Sequence, residues 1–294
     1  MKQGLAKFGL SRRASPETLV QAPALSLELS GPRLARALEE LSAACEPQGG
    51  VERFVRALTL KAELFEETFG NGRVENLDQD SFNNVCAFVA PARRRVGTWL
   101  AEHGFDAMRT ACVELLHGWS DVTSADARLD AFRANFPDDR AHRWTRDLGA
   151  EILHFTAPEI YPLATRWMWD RNANTGVLRE IWYAADLDSI TLGVPDDFRT
   201  FHLLRHELEG FLSENGVFRD VAMMTDLLCG QIYGDYVRGQ GSAYLRADFS
   251  SPEDPMFYAR RMLGLDGADS SHRRSRLKLA GGTRHEIAWI SGGQ

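Results

Sequence analysis

The chain has 294 residues, 44% of them hydrophobic and 26% charged, with a formal net charge of −7. That is enough apolar material for one large domain or two small ones, and no run of eighteen apolar residues offers a membrane-spanning helix. Residues 1–15 carry +4 and residues 267–294 carry +3, which leaves −14 for residues 16–266; a body that acidic repels phosphate backbones, so nucleic acid is expected at most through the two basic ends.

The basic start MKQGLAKFGLSRRAS lacks the long apolar core and small-residue cleavage site of a secretory signal. Residues 1–29 are expected to be poorly ordered. Within them Arg12-Arg13-Ala14-Ser15 has the spacing of a basophilic kinase site at Ser15. Ser30-Gly31-Pro32 opens the first helix, which carries Leu34, Leu38 and Leu41 to Cys45 and is broken at Pro47-Gln48-Gly49-Gly50. Val51–Phe69 reads as a second helix, striped by Phe54, Leu58, Phe65 and Phe69 and stopped by Gly70-Asn71-Gly72. Asp78 and Asp80 precede a third at 81–90, and Pro91 opens a fourth that runs to His103. Helices over 105–118 and 124–136 follow, the last closed by Pro137.

The segment from Leu148 to Tyr183 is the densest in aromatics, with Phe155, Tyr161, Trp167, Trp169, Trp182 and Tyr183. Trp144, Leu148, Ile152 and Phe155 mark one helical face after Asp138 and Asp139. Thr156 then caps an expected second helix carrying Ile160, Leu163 and Trp167, ended by Asn172–Gly176 with Asn174 or Gly176 left-handed. The tryptophans read first as core; the alternative has His154, Arg166 and Trp169 lining a pocket. Val177–Tyr183 is read as a strand or a further helical turn. Pro195-Asp196-Asp197 announces a helix over 198–214, and the longest helix spans 218–238, where Gly230 and Gly234 invite a close backbone. Ser251–Asp254 caps a last helix, and HEIAWI (285–290) is a candidate final strand.

Four cysteines, Cys45, Cys86, Cys112 and Cys229, lie far apart in apolar helical contexts without any CxxC. Buried reduced thiols and a reducing cytoplasm are expected. Arg93-Arg94-Arg95 form a basic cluster in an acidic body, read as ion pairs with the protein's own carboxylates or as a site for an acidic partner. His202, His206 and Glu209 share one narrow strip of their helix and are the candidate metal ligands, since two imidazoles and a carboxylate at that spacing converge on one ion. The zinc-protease pattern HExxH and the Glu-x-x-His of diiron bundles are both absent. His154, on an apolar face, reads as a core histidine donating to a backbone carbonyl, with general-base catalysis as the alternative. No GxSxG, P-loop or GxGxxG motif occurs.

The stretch LHFTAPEIYPLATRWMWD, residues 153–170, resembles the helix, aromatic–proline corner and helix of helix-hairpin-helix proteins related to DNA glycosylases. That family places an aspartate shortly after the corner proline and a glycine-rich hairpin before it. Here Thr165 occupies the place of the aspartate and no such hairpin precedes it, so the resemblance implies a corner without glycosylase activity. The same stretch with TGVLREIW, residues 175–182, also resembles uncharacterised helical proteins of nitrogen-fixing proteobacteria, which implies a bacterial helical protein and no mechanism.

The expected fold is mainly α, a single multi-helix orthogonal bundle over 30–265, with extended ends and a basic tail from 266 to 294. The expected function is that of a cytoplasmic accessory or regulatory protein that binds another protein, leaning away from an enzyme, without cofactor or membrane. Arg93, Arg94, Arg95, Arg166 and Trp169 are the expected binding residues. The alternative is a metal- or small-ligand-dependent enzyme with its site between the His202/His206/Glu209 strip and the aromatic corner, and a third is nucleic-acid binding through the basic ends.

Overall fold

Apolar residues at helical spacing settle most of the architecture. The structure is a computed structural model that describes residues 27–244 and 254–268. It is mainly α-helical: α1 (Gly31–Cys45), α2 (Val51–Phe69), α3 (Gln79–Cys86), α4 (Val96–His103), α5 (Phe105–Leu116), α6 (Ala125–Ala134), α7 (Trp144–Thr156), the single turn α8 (Val177–Glu180), α9 (Phe198–Glu214), α10 (Val221–Tyr244) and α11 (Phe257–Met262). Among the described residues the only strand-like pairings are two isolated antiparallel bridges, Leu29 with Trp182 and Asp170 with Thr175. The kinase-like Ser15, the 251–253 part of the expected last cap, the HEIAWI stretch and the basic tail beyond residue 268 lie outside the described residues.

Helix α7 is central. Apart from Arg146 it is buried from Trp144 to Phe155, and it packs against α2, α5 and α6. Gly149 lets α6 come close, since a methyl there would meet the Leu129 and Phe132 side chains at 2.6 and 3.0 Å. The long α10 packs on α9, α1, α2, α8 and α11. Its Gly230 and Gly234 do admit a close neighbour: a Cβ on Gly234 would sit 3.0 Å from the backbone nitrogen of Ala259, and one on Gly230 would meet Leu263 at 2.8 Å. Buried apolar residues from Leu27 to Leu265 gather in one cluster.

Helix starts follow their caps. Asp78 accepts from the Ser81 N–H to start α3, and Asp197 accepts from Thr200 N–H to start α9. Asp126 of α6 takes the Phe198 N–H at 3.0 Å, so α9 is tied to α6 at its first residue. At the start of the described residues Leu27 is buried, Glu28 C=O accepts from Tyr183 N–H, and Ser30 N–H donates to Ile181 C=O.

The aromatic corner also departs from expectation. Asp139 caps only a 3-10 turn, Arg140–His142, and α7 begins at Trp144. The second corner helix does not form, and residues 157–176 run as turns and extended chain. Pro158 and Pro162 remove two backbone donors within five residues and disfavour helical geometry at the residues before them. Ala157 accordingly leaves the helix with φ −147° and ψ 69°. The chain instead folds back, with Val177 and Leu178 N–H donating to Trp167 and Met168 C=O. Asn174 and Gly176 do take positive φ, 52° and 135°. Val177 to Glu180 is a helical turn, which settles the strand-or-helix alternative.

Candidate functional site

Helix α7 has two buried faces. One is the expected apolar face; the other carries Asp147, Glu151 and His154 at i, i+4 and i+7, all buried and each met by a different element. Asp147 accepts from Arg166 through the backbone N–H at 2.9 Å and through Nε and Nη2 at 3.1 and 2.6 Å. Glu151 accepts from Lys61 of α2 at 2.7 Å. His154 Nδ1 donates to Tyr161 C=O at 2.7 Å, and its Nε2 shares a 2.7 Å contact with Asp226 of α10. Because a carbonyl only accepts, Nδ1 carries its hydrogen, and Nε2 faces the Asp226 carboxyl. His154 thus has the backbone partner expected of a core histidine, and a buried carboxylate besides.

Lys61 is fully buried, and each of its donors has somewhere to go. Besides Glu151, Nζ donates to Leu263 C=O at 2.8 Å and lies 3.9 Å from the centre of the Phe155 ring. Burial pushes the Glu151 carboxyl up from 4.5 to about 7, against the pull of Lys61. The same burial pushes the Lys61 ammonium down, with Glu151 opposing. Over the window from 4.5 to about 7 the folded protein therefore keeps a Glu151 proton that the unfolded chain has released, so the stability due to this group is full below 4.5 and is lost as pH rises towards 7. Lys61 acts in the opposite sense towards alkaline pH. In urea titrations at pH 5 and pH 7.5, the wild type should lose stability relative to Glu151→Gln across this interval. Parallel pH profiles would contradict the assignment.

At the N-terminal end of α7 the spine opens to solvent. Arg166 and Arg143 stand where two cavities meet, one of about 760 Å³ running along Asp130, Arg133, Arg140 and Arg146, the other of about 430 Å³ lined by Trp167, Tyr233, Arg261 and Met262. Most carboxylates along this groove are already occupied: Asp130 by Arg133, Asp139 by the 140–142 turn, Asp170 by Ala173 N–H and Asp147 by Arg166. Arg146 is paired with Asp196 at 2.6 Å. Arg140, Arg143 and Arg261 have no side-chain partner among the described residues. Burial raises the Tyr233 phenol above its ordinary value, so it stays a neutral donor beside them.

The sequence-predicted residues fall in different places. Arg166 lines the groove. Trp169 does not: it is buried, with Nε1 donating to Val194 C=O at 3.1 Å, and Trp167 is the tryptophan at the cavity wall. Arg93 is held bidentately by Asp266 at 2.6 Å on both arms, whereas Arg94 and Arg95 are exposed and Arg95 reaches Ala141 C=O beside the groove. His154 is sealed in the spine, away from Trp169. His202 is half-buried and pushed down by that burial and by Arg205, His206 is exposed, and Glu209 is held by Arg205 at 2.6 Å. Among the described residues no three His, Cys, Asp or Glu side chains gather to hold a metal, so the strip does not form that trio. All four cysteines are free and buried, and burial raises the Cys45 and Cys112 thiols to about 12. The buried Asp226 of α10 has His154 as its partner. Lys61 and the charged face of α7 are functional-looking features that the apolar periodicity concealed. Comparison with protein families, with curated proteins and with solved structures returns no match.

Proposed function

We propose that this protein is a helical accessory protein that works by binding another protein, and that the arginine groove at the N-terminal end of α7 receives an acidic, extended segment of the partner. The observation that carries this reading is the junction of the two cavities at Arg143 and Arg166, where Arg140, Arg143 and Arg261 are unpaired among the described residues and Arg166 is held by Asp147. Planar guanidinium groups beside Trp167 and Tyr233 are the combination that recognises carboxylates and anchors interfaces. The groove extends from α6 to α11, which suits a chain segment better than a compact molecule. Buried free thiols support a reducing cytoplasm as its setting. A second reading, a small-ligand enzyme, draws on a cleft of about 650 Å³ between Pro158 and Glu209, where the aromatic corner meets α9.

The test uses full-length protein and a labelled decapeptide of glutamate with one central phenylalanine, followed by fluorescence anisotropy. Binding should weaken with salt, and the Arg143→Glu/Arg261→Glu variant should bind about tenfold more weakly, as expected for two rim charges. Arg56→Glu, on the outer face of α2, should leave affinity unchanged. Equal affinity in the double variant, or preference for an oligonucleotide over the peptide, would overturn the proposal.

A further inference from the structure

The opposite end of α7 carries a further cavity, separate from the arginine groove. It has a volume of about 310 Å³ and lies among the end of α2, the turn that follows it, α5 and the last residues of α7. Phe69, Val74, Val113 and Leu116 supply apolar walls, and Trp119 stands at its edge with 44% of its surface exposed. Its titratable lining groups are Glu66, Glu75 and His117; no lysine or arginine lines it. Thr156 also faces it, with a buried hydroxyl oxygen that has no hydrogen-bond partner.

The walls are fixed before any ligand arrives. The Glu66 carboxylate is held by Asn71 at 2.6 Å and Arg73 at 3.3 Å, and Asn71 sits at φ 54° in the turn between them. The backbone of Trp119 is pinned by the buried Tyr161, whose hydroxyl donates to Trp119 C=O and accepts from Arg128 at 2.7 Å. Arg128 also donates to Leu115 C=O at 2.6 Å, closing the far side of the same loop. The Trp119 backbone is thus held in place with its indole left half in water, which lowers the ordering cost of a contact made there. A volume near the lower end of ligand cavities admits a small organic molecule. An apolar body suits the walls, and a positive charge suits Glu75, the lining carboxylate without a cation among the described residues, and an indole, the best aromatic partner for a cation.

We infer that this cavity binds a small hydrophobic amine or ammonium compound, with its body against Phe69 and Leu116 and its cation between Trp119 and Glu75. The proposal is independent of the arginine groove. Three probes of matched size separate its parts: 2-phenylethylamine as the cation, 2-phenylethanol as the neutral analogue, and 3-phenylpropanoate as the anion, each titrated into the full-length protein by calorimetry and by proton–nitrogen NMR. The amine should bind at millimolar concentration or below, at least tenfold more tightly than the alcohol, with the acid weakest. Glu75→Gln should weaken the amine three- to tenfold and leave the alcohol unchanged. Trp119→Ala should weaken both, and the indole N–H resonance of Trp119 should shift on binding. Both substitutions are at exposed side chains, and circular dichroism verifies that the variants fold. Arg143→Glu/Arg261→Glu should bind the amine as the wild type does. Equal binding of amine and alcohol, insensitivity of the amine to both cavity variants, or no binding of any probe at 10 mM (roughly −2.7 kcal/mol) would overturn the inference.

Discussion

Lys61→Met should destabilise the protein by about 3–5 kcal/mol at pH 8, a large share of the roughly 5–15 kcal/mol typical of folded domains. The substitution keeps the length of the side chain but leaves Glu151 buried without its cation and Leu263 C=O without its donor. The loss should shrink at pH 5, because Glu151, raised to about 7 by burial, is protonated there with or without Lys61 and leaves no buried charge to compensate. Replacing both partners, Lys61→Met with Glu151→Leu, should recover most of the loss, since two apolar groups demand no compensation in the interior. Urea unfolding at the two pH values measures all three quantities. A loss below about 1 kcal/mol in the single variant would mean that water reaches the pair, which the burial of both side chains argues against.

Gly264→Ala should cost about 2–5 kcal/mol. The residue has φ +73°, where an L side chain pays roughly 1–2 kcal/mol. Its Cβ would also fall inside the van der Waals shell of the Phe88 carbonyl, which is backbone and has little room to give, adding the 1–3 kcal/mol typical of overpacking. The neighbouring Leu263 carbonyl holds Lys61, and Asp266 holds Arg93, so a shift at residue 264 strains both contacts. Gly97→Ala supplies the contrast. It lies inside α4 with no atom within 4 Å of the added methyl, and it should be neutral or stabilise by about 0.5–1 kcal/mol. Thermal melts and limited proteolysis of the 254–268 segment read both. A Gly264→Ala protein as stable as the wild type would show that this segment can lift from Phe88 without loss.

Much of the helical framework was legible from local chemistry. The bounds of α2 and α9 follow from the Gly49-Gly50 break, the Gly70-Asn71-Gly72 stop and the Asp197 cap, each of which acts on adjacent backbone. The corner was misread because Thr156-Ala157-Pro158 fits a helix start as well as a helix end. The deciding factor is tertiary, the burial of Tyr161, Thr165 and Trp169 in extended chain. Lys61 lies three residues after Leu58 and four before Phe65, squarely on the apolar stripe of α2, and that register was its signal. Asp147, Glu151 and His154 shared a face in the same way, hidden by an apolar face strong enough to explain the helix alone. The groove could not be read at all. Its residues come from positions 90–91, 130–175, 233 and 261–262, and only the folded chain brings Arg143 and Arg261 to one cavity.

The contact between Lys61 and Leu263 spans 202 residues, and that span sets an order of events on the ribosome. At synthesis rates of about 5–20 residues per second, the carbonyl that finishes solvating the lysine emerges roughly 10–40 s after the lysine itself. The nascent chain can lay α2 against α7 in that time only with a cation still short of one acceptor. The native interior is therefore completed only once residues 254–268 have been made, and whatever shields the half-built protein from misassembly must hold it until they arrive.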